Sequence, residues 1–144
     1  MKKLIKQLLL SPLIFLNFIA SLYSQLLYFI KPKFKYYWSD SIAESNRNQT
    51  QEVYHSTKDG KKLRFKLFTP NRRCRYGVES FSTKEPETLS WIDNHKGDGV
   101  FFDIGANVGL YSIYYALSKK NKVYAFEPSV FNLALLAKNI NLNQ

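Results

Sequence analysis

The chain has 144 residues, 45% of them hydrophobic and 16% aromatic, which excludes a disordered polar tail. Its 21 Lys and Arg against 11 Asp and Glu give a formal charge of +10, which favours anionic partners such as lipid head groups or nucleic acid. No spacing of base-reading residues supports nucleic acid, Cys74 has no second cysteine to pair with, and His55 and His95 stand far apart without a metal-ligand pattern.

Leu4 to Ile30 reads as a helix with Pro12 as its break or bend. At 100° per residue, Lys3, Lys6, Gln7, Asn17, Ser21, Ser24 and Gln25 gather on one side. Ile5, Leu8, Leu9, Phe15, Leu16, Ile19, Leu22, Leu26, Leu27 and Phe29 cover the other, and Leu10 and Ile14 intrude on the polar side. Lys2, Lys3, Lys6, Lys31, Lys33 and Lys35 flank the block. The pattern favours a helix lying in the plane of a membrane, its lysines meeting anionic head groups through residues 1–35. A single span and ordinary packing against protein are the alternatives. A reducing cytoplasmic compartment, at the inner face of the membrane, suits a chain with one cysteine.

Residues 1–34 therefore form the apolar region and 35–51 a polar linker, opening on the aromatics Tyr36, Tyr37 and Trp38. Within 52–98, Glu52 to His55 and Lys62 to Phe68 read as strands of a hairpin turning at Lys58-Asp59-Gly60. Arg72, Arg73 and Arg75 read as a solvated basic loop, with the edge of a substrate cleft as the functional alternative. Glu85 to Ile92 reads as a short helix with Pro86 in its first turn, and Trp91 reads as core.

Residues 99–144 carry the chemistry. Gly99 to Asp103 is a short apolar strand, Gly105 and Gly109 bound a tight turn, and Val108 to Leu117 continues as helix. Asn107 tolerates a left-handed backbone between the two glycines. Val123 to Phe126 is a second strand tipped by Glu127, and Pro128-Ser129 opens another helix with Ser129 as cap. Two acids at the ends of adjacent parallel strands, with a glycine turn beside one, form half of a nucleoside-cofactor site. The turn lacks the middle glycine of the dinucleotide fingerprint, since Asn107 stands there, which weighs against a pyrophosphate. S-adenosylmethionine has none. Its amino group wants an acid, its carboxylate wants amides, and its ribose wants a second acid, here Glu127 accepting both hydroxyls.

Three stretches carry a family resemblance: Thr83-Lys84-Glu85-Pro86-Glu87-Thr88-Leu89-x-Trp91-Ile92, Phe102-Asp103-Ile104-Gly105-Ala106-Asn107-Val108-Gly109-Leu110-Tyr111-Ser112, and Tyr124-Ala125-Phe126-Glu127-Pro128-Ser129. Together they resemble the FkbM family of methyltransferases over residues 75–144. The resemblance implies an α/β fold, an incomplete class I methyltransferase Rossmann-like fold with its first two central parallel strands. It also implies methyl transfer from S-adenosylmethionine to a hydroxyl of a small molecule, sugar or glycan. Asp103 would sit near the methionine end, Gly105, Asn107 and Gly109 would form the loop, and Glu127 would bind ribose. No catalytic base can be named from these residues. Because the chain stops at Gln144 after two such strands, the expectation is the first half of a domain, inactive alone. A nicotinamide-dependent oxidoreductase and a non-catalytic membrane-associated remnant are the rival readings.

Overall fold

A computed structural model describes residues 2–144, with side chains described from residue 10 onward apart from that of residue 33. The side chains of Lys2, Lys3, Ile5, Lys6, Gln7, Leu8, Leu9 and Lys33, to which the sequence assigned faces or flanks, lie outside the described residues. The chain divides into two compact units, Met1–Ser45 and Asn46–Gln144.

The first unit is built on α1 (Lys2–Ile30), which runs through Pro12 without interruption. One missing amide hydrogen bond does not end a helix whose remaining turns are intact. Leu10–Ile30 has a mean hydropathy of 1.8 and is long and apolar enough to cross a membrane. A 3₁₀ turn at Pro32–Phe34 leads to α2 (Tyr37–Arg47). The polar linker expected over 35–51 is therefore largely helical. Asp40 in the first turn and Arg47 in the last complement the helix dipole, a signal that polarity alone concealed. The Trp38 indole Nε1 donates to Asn17 Oδ1 at 3.0 Å, so α2 lies beside α1.

In the second unit, β1 (Thr50–Ser56) and β2 (Lys62–Phe68) pair antiparallel from Thr50↔Phe68 to Ser56↔Lys62. Gly60 takes φ +81° in the turn, where a side chain would be strained. Alternation along β2 turns Phe65 and Leu67 into the core with Val53. The helices α3 (Arg72–Glu79), α4 (Phe81–Lys84) and α5 (Pro86–Asn94) follow. Then β3 (Phe101–Ile104), α6 (Leu110–Lys119) and β4 (Val123–Phe126) form a parallel βαβ unit in register Phe101↔Val123 to Ile104↔Phe126. The last element is α7 (Val130–Leu142).

This topology corrects the fold-class expectation. The first two strands of the chain are antiparallel, and the strands form two separate two-stranded sheets instead of the parallel core of a Rossmann-like fold. The reason is the connection: five residues between β1 and β2 permit only a hairpin, whereas a parallel pair needs a crossover such as α6. Moreover, β3 is not buried on both sides. Phe102, Ile104, Tyr124 and Phe126 present an exposed apolar face, and α6 covers the opposite one.

Packing centres on Phe81. Its ring meets those of His55, Phe65, Tyr111 and Tyr114 at 5.3–5.7 Å between centroids. The cluster extends through Leu89, Ile92, Ile113 and Tyr115, joining the hairpin to the βαβ unit. Tyr114 donates its hydroxyl to Asp93 Oδ1, and Asp93 Oδ2 accepts the Lys58 amide at 2.8 Å. Trp91, expected in the core, is 55% exposed and only leans on His95 and Phe101.

Asparagines on α7 make a second junction. Asn139 is fully buried; its Oδ1 accepts the Phe68 amide at 2.8 Å and its Nδ2 donates to the Val108 carbonyl at 2.7 Å. One turn on, Asn143 accepts the Lys66 amide at 2.9 Å and donates to the Lys66 carbonyl at 2.7 Å. Two side-chain amides thus stand where a neighbouring strand would pair with β2.

Candidate cofactor site

The βαβ unit places the sequence-selected residues at the carboxyl ends of β3 and β4. After Ile104 the backbone turns at Gly105 (φ +87°), Asn107 (φ +53°) and Gly109 (φ +90°) before α6 begins. The Phe126 carbonyl accepts the amides of Gly105 and Ala106 at 2.8 and 3.0 Å, which ties the turn to the end of β4. A side chain at Gly105 would meet nothing within 4 Å, so that side of the turn is open to an approaching ligand.

Gly109 has a different duty. A Cβ there would lie 2.4 Å from Leu136 Cδ1, so its missing side chain admits α7. The space over the turn is thus open at Gly105 and filled by α7 at Gly109.

Asp103 is half-buried, and its Oδ2 accepts the Ser112 hydroxyl from the first turn of α6. No other hydrogen bond reaches its carboxylate among the described residues. It lines a cleft of about 510 Å³ together with Gly105, Asn107, Arg73, Glu85 and Tyr111. That volume falls in the ordinary range for small-molecule sites.

Glu127 does not line this cleft. Its Oε2 accepts the Asn107 amide at 2.8 Å, and its Oε1 accepts the Ser129 amide at 2.9 Å and the Asn132 side chain at 3.3 Å. A carboxylate offers about four acceptor positions, so this arrangement leaves one for a ligand hydroxyl, and a second requires Asn132 to yield. The Ser129 amide, followed by the Asn107 amide and Asn132, holds Glu127 below the usual carboxylate range against partial desolvation. Ser129 precedes α7 without a side-chain capping bond, and its own backbone amide is accepted by Glu127 Oε1.

Several cleft residues come from elements that sequence reasoning undervalued. Arg72, Arg73 and Arg75 belong to α3 and not to a loop. Asn71 caps that helix by accepting the Cys74 amide at 3.0 Å, and an Asn directly after a proline was the readable signal. Burial, with Glu85 beside it, pushes the Tyr111 hydroxyl up to about 12, so at neutral pH it is a proton donor. Burial likewise raises the Cys74 thiol, which disfavours a thiolate. His55 bonds Ser82 through Nδ1 at 2.8 Å, among the core rings. Among the described residues no group of three or more His, Cys, Asp or Glu is placed to hold a metal ion.

No protein-family model, curated protein or solved structure matches the chain. The descriptors methyltransferase, S-adenosylmethionine and FkbM therefore find no support in homology. The descriptor Rossmann-like conflicts with the antiparallel pairing of β1 and β2.

Proposed function

We propose, from local chemistry alone, that the turn after β3 binds the amino-acid and ribose portions of S-adenosylmethionine, and that the chain belongs to an enzyme methylating a hydroxyl on a small molecule or glycan. The observation that carries this is the cleft itself. An acid with an unused carboxylate oxygen and a glycine with open space over it line that cleft, and outside it Glu127, just past β4, accepts the Asn107 amide of the same turn. The parts fit the group: Asp103 suits an ammonium, amides at the start of α6 suit a carboxylate, and Glu127 suits a ribose hydroxyl. When bound, the sulfonium supplies an activated methyl group. The residues of this chain hold its ends, and the apolar wall around Leu110 and Ala106 limits water. The apolar α1 supports membrane association, and the inner, cytoplasmic face is the side proposed for a chain with one cysteine.

Equilibrium dialysis of the whole chain against labelled S-adenosylmethionine, with NAD as a control, tests the assignment. Saturable binding should weaken about 10- to 100-fold in Asp103→Asn, the loss of one charge-assisted hydrogen bond. Absence of saturable binding, or equal affinity in the variant, refutes it.

A further inference from the structure

The hydrogen bond between Trp38 and Asn17 decides how α1 meets a lipid bilayer. Leu13, Asn17, Ala20 and Ser24 form one stripe at helical spacing, and they line a groove with Trp38 and Ile42 of α2. At 100° per residue, Phe15, Phe18, Leu22, Leu26 and Phe29 fall on the opposite side of α1. Their exposures run from 42% to 84%, so among the described residues no other element of the unit covers this stripe.

An upright α1 conflicts with this arrangement. Asn17 lies about 20 Å from Ile30 and about 10 Å from Leu10 along the axis, at 1.5 Å per residue. Trp38 is bonded to it, so Asp40, less than one turn further along α2, would stand in hydrocarbon. Asp40 has no ion pair among the described residues, and an isolated carboxylate is expelled from that medium. With α1 lying flat, α2 rides on the water side and the Asp40 carboxylate stays hydrated.

We infer that α1 and α2 form an in-plane membrane anchor, with the Phe15–Phe29 stripe sunk into a bilayer surface bearing anionic head groups. The charge fits: Lys31 and Lys35 are exposed at the end of α1, and the sequence adds Lys2, Lys3, Lys6 and Lys33 against Asp40 and Glu44 in this unit. The inference deepens the membrane address proposed above and rests on it.

The test uses the full chain carrying Trp91→Phe, which leaves Trp38 as the only tryptophan. It is mixed with phosphatidylcholine vesicles with or without 30% (~one third) phosphatidylglycerol, then floated on a density gradient. The expected result is at least tenfold stronger partition to the anionic vesicles, falling about fivefold for each of Lys31→Gln and Lys35→Gln. Lipids brominated at graded depths should quench Trp38 weakly, and most from the shallowest position. Failure to float overturns the membrane address and the inference together. Flotation with strongest quenching from the bilayer centre overturns the in-plane anchor alone, and equal partition to neutral vesicles overturns its preference for anionic lipid.

Discussion

At the scale of single residues, two glycines of one turn carry unlike burdens. Gly109→Ala would drive a methyl into Leu136 at a backbone angle that L-residues avoid, and should cost about 2–4 kcal/mol in urea unfolding. Gly105→Ala meets no neighbour, so only the backbone penalty of about 1–2 kcal/mol applies. Its larger effect should fall on affinity for S-adenosylmethionine, the ligand proposed for this turn. Nothing in the spacing Gly105-x-x-x-Gly109 separates the two, because the discriminating atom belongs to α7. Charge tells a similar story at Glu52. The Arg64 guanidinium, then Tyr54 and Lys66, lower its pKa from the usual 4.5 to about 2. A depressed folded pKa means stability that is present above 4.5 and lost as pH falls toward 2. Urea midpoints measured from pH 7 into that acid window should fall in the native chain and change less in Glu52→Gln.

Among the elements, β2 shows how an exposed strand edge is handled. Asn139 and Asn143 satisfy Lys66 and Phe68 there, and Asn139 simultaneously holds the Val108 carbonyl of the glycine turn. Asn139→Ala strands a half-buried amide and a buried carbonyl, and should destabilise the chain by about 2–4 kcal/mol. Hydrogen exchange should quicken at the Phe68 amide in that variant, and the proposed S-adenosylmethionine binding should weaken through the loosened turn. Asn132 bonds Glu127 and Asn139 is buried against a strand 71 positions earlier, a distance over which no local pattern speaks. Helix α2 was misread for a related reason: its residues are polar, and its placement beside α1 involves the indole bond to Asn17, 21 positions earlier.

For the whole molecule, the aromatic cluster around Phe81 joins the hairpin to the βαβ unit, so both should melt together. Phe81→Ala should cost about 3–5 kcal/mol and lower the single thermal transition of that unit, followed by circular dichroism. Local chemistry in the chain already determined the tight turn at Gly60, the β3–α6–β4 order, Pro86 at a helix start and the placement of Asp103 and Glu127 at strand ends. These features depend on residues within a few positions of one another, where φ preference, periodicity and capping act. Tertiary structure alone decided that the two sheets stay separate, that Gly109 serves packing, that Glu127 braces the turn, and that Asp103 opens into a cleft built with α3 and α5. Each of those outcomes depends on atoms brought together from distant parts of the chain, and hydrophobic burial, which brings them together, is non-directional until the side chains interlock.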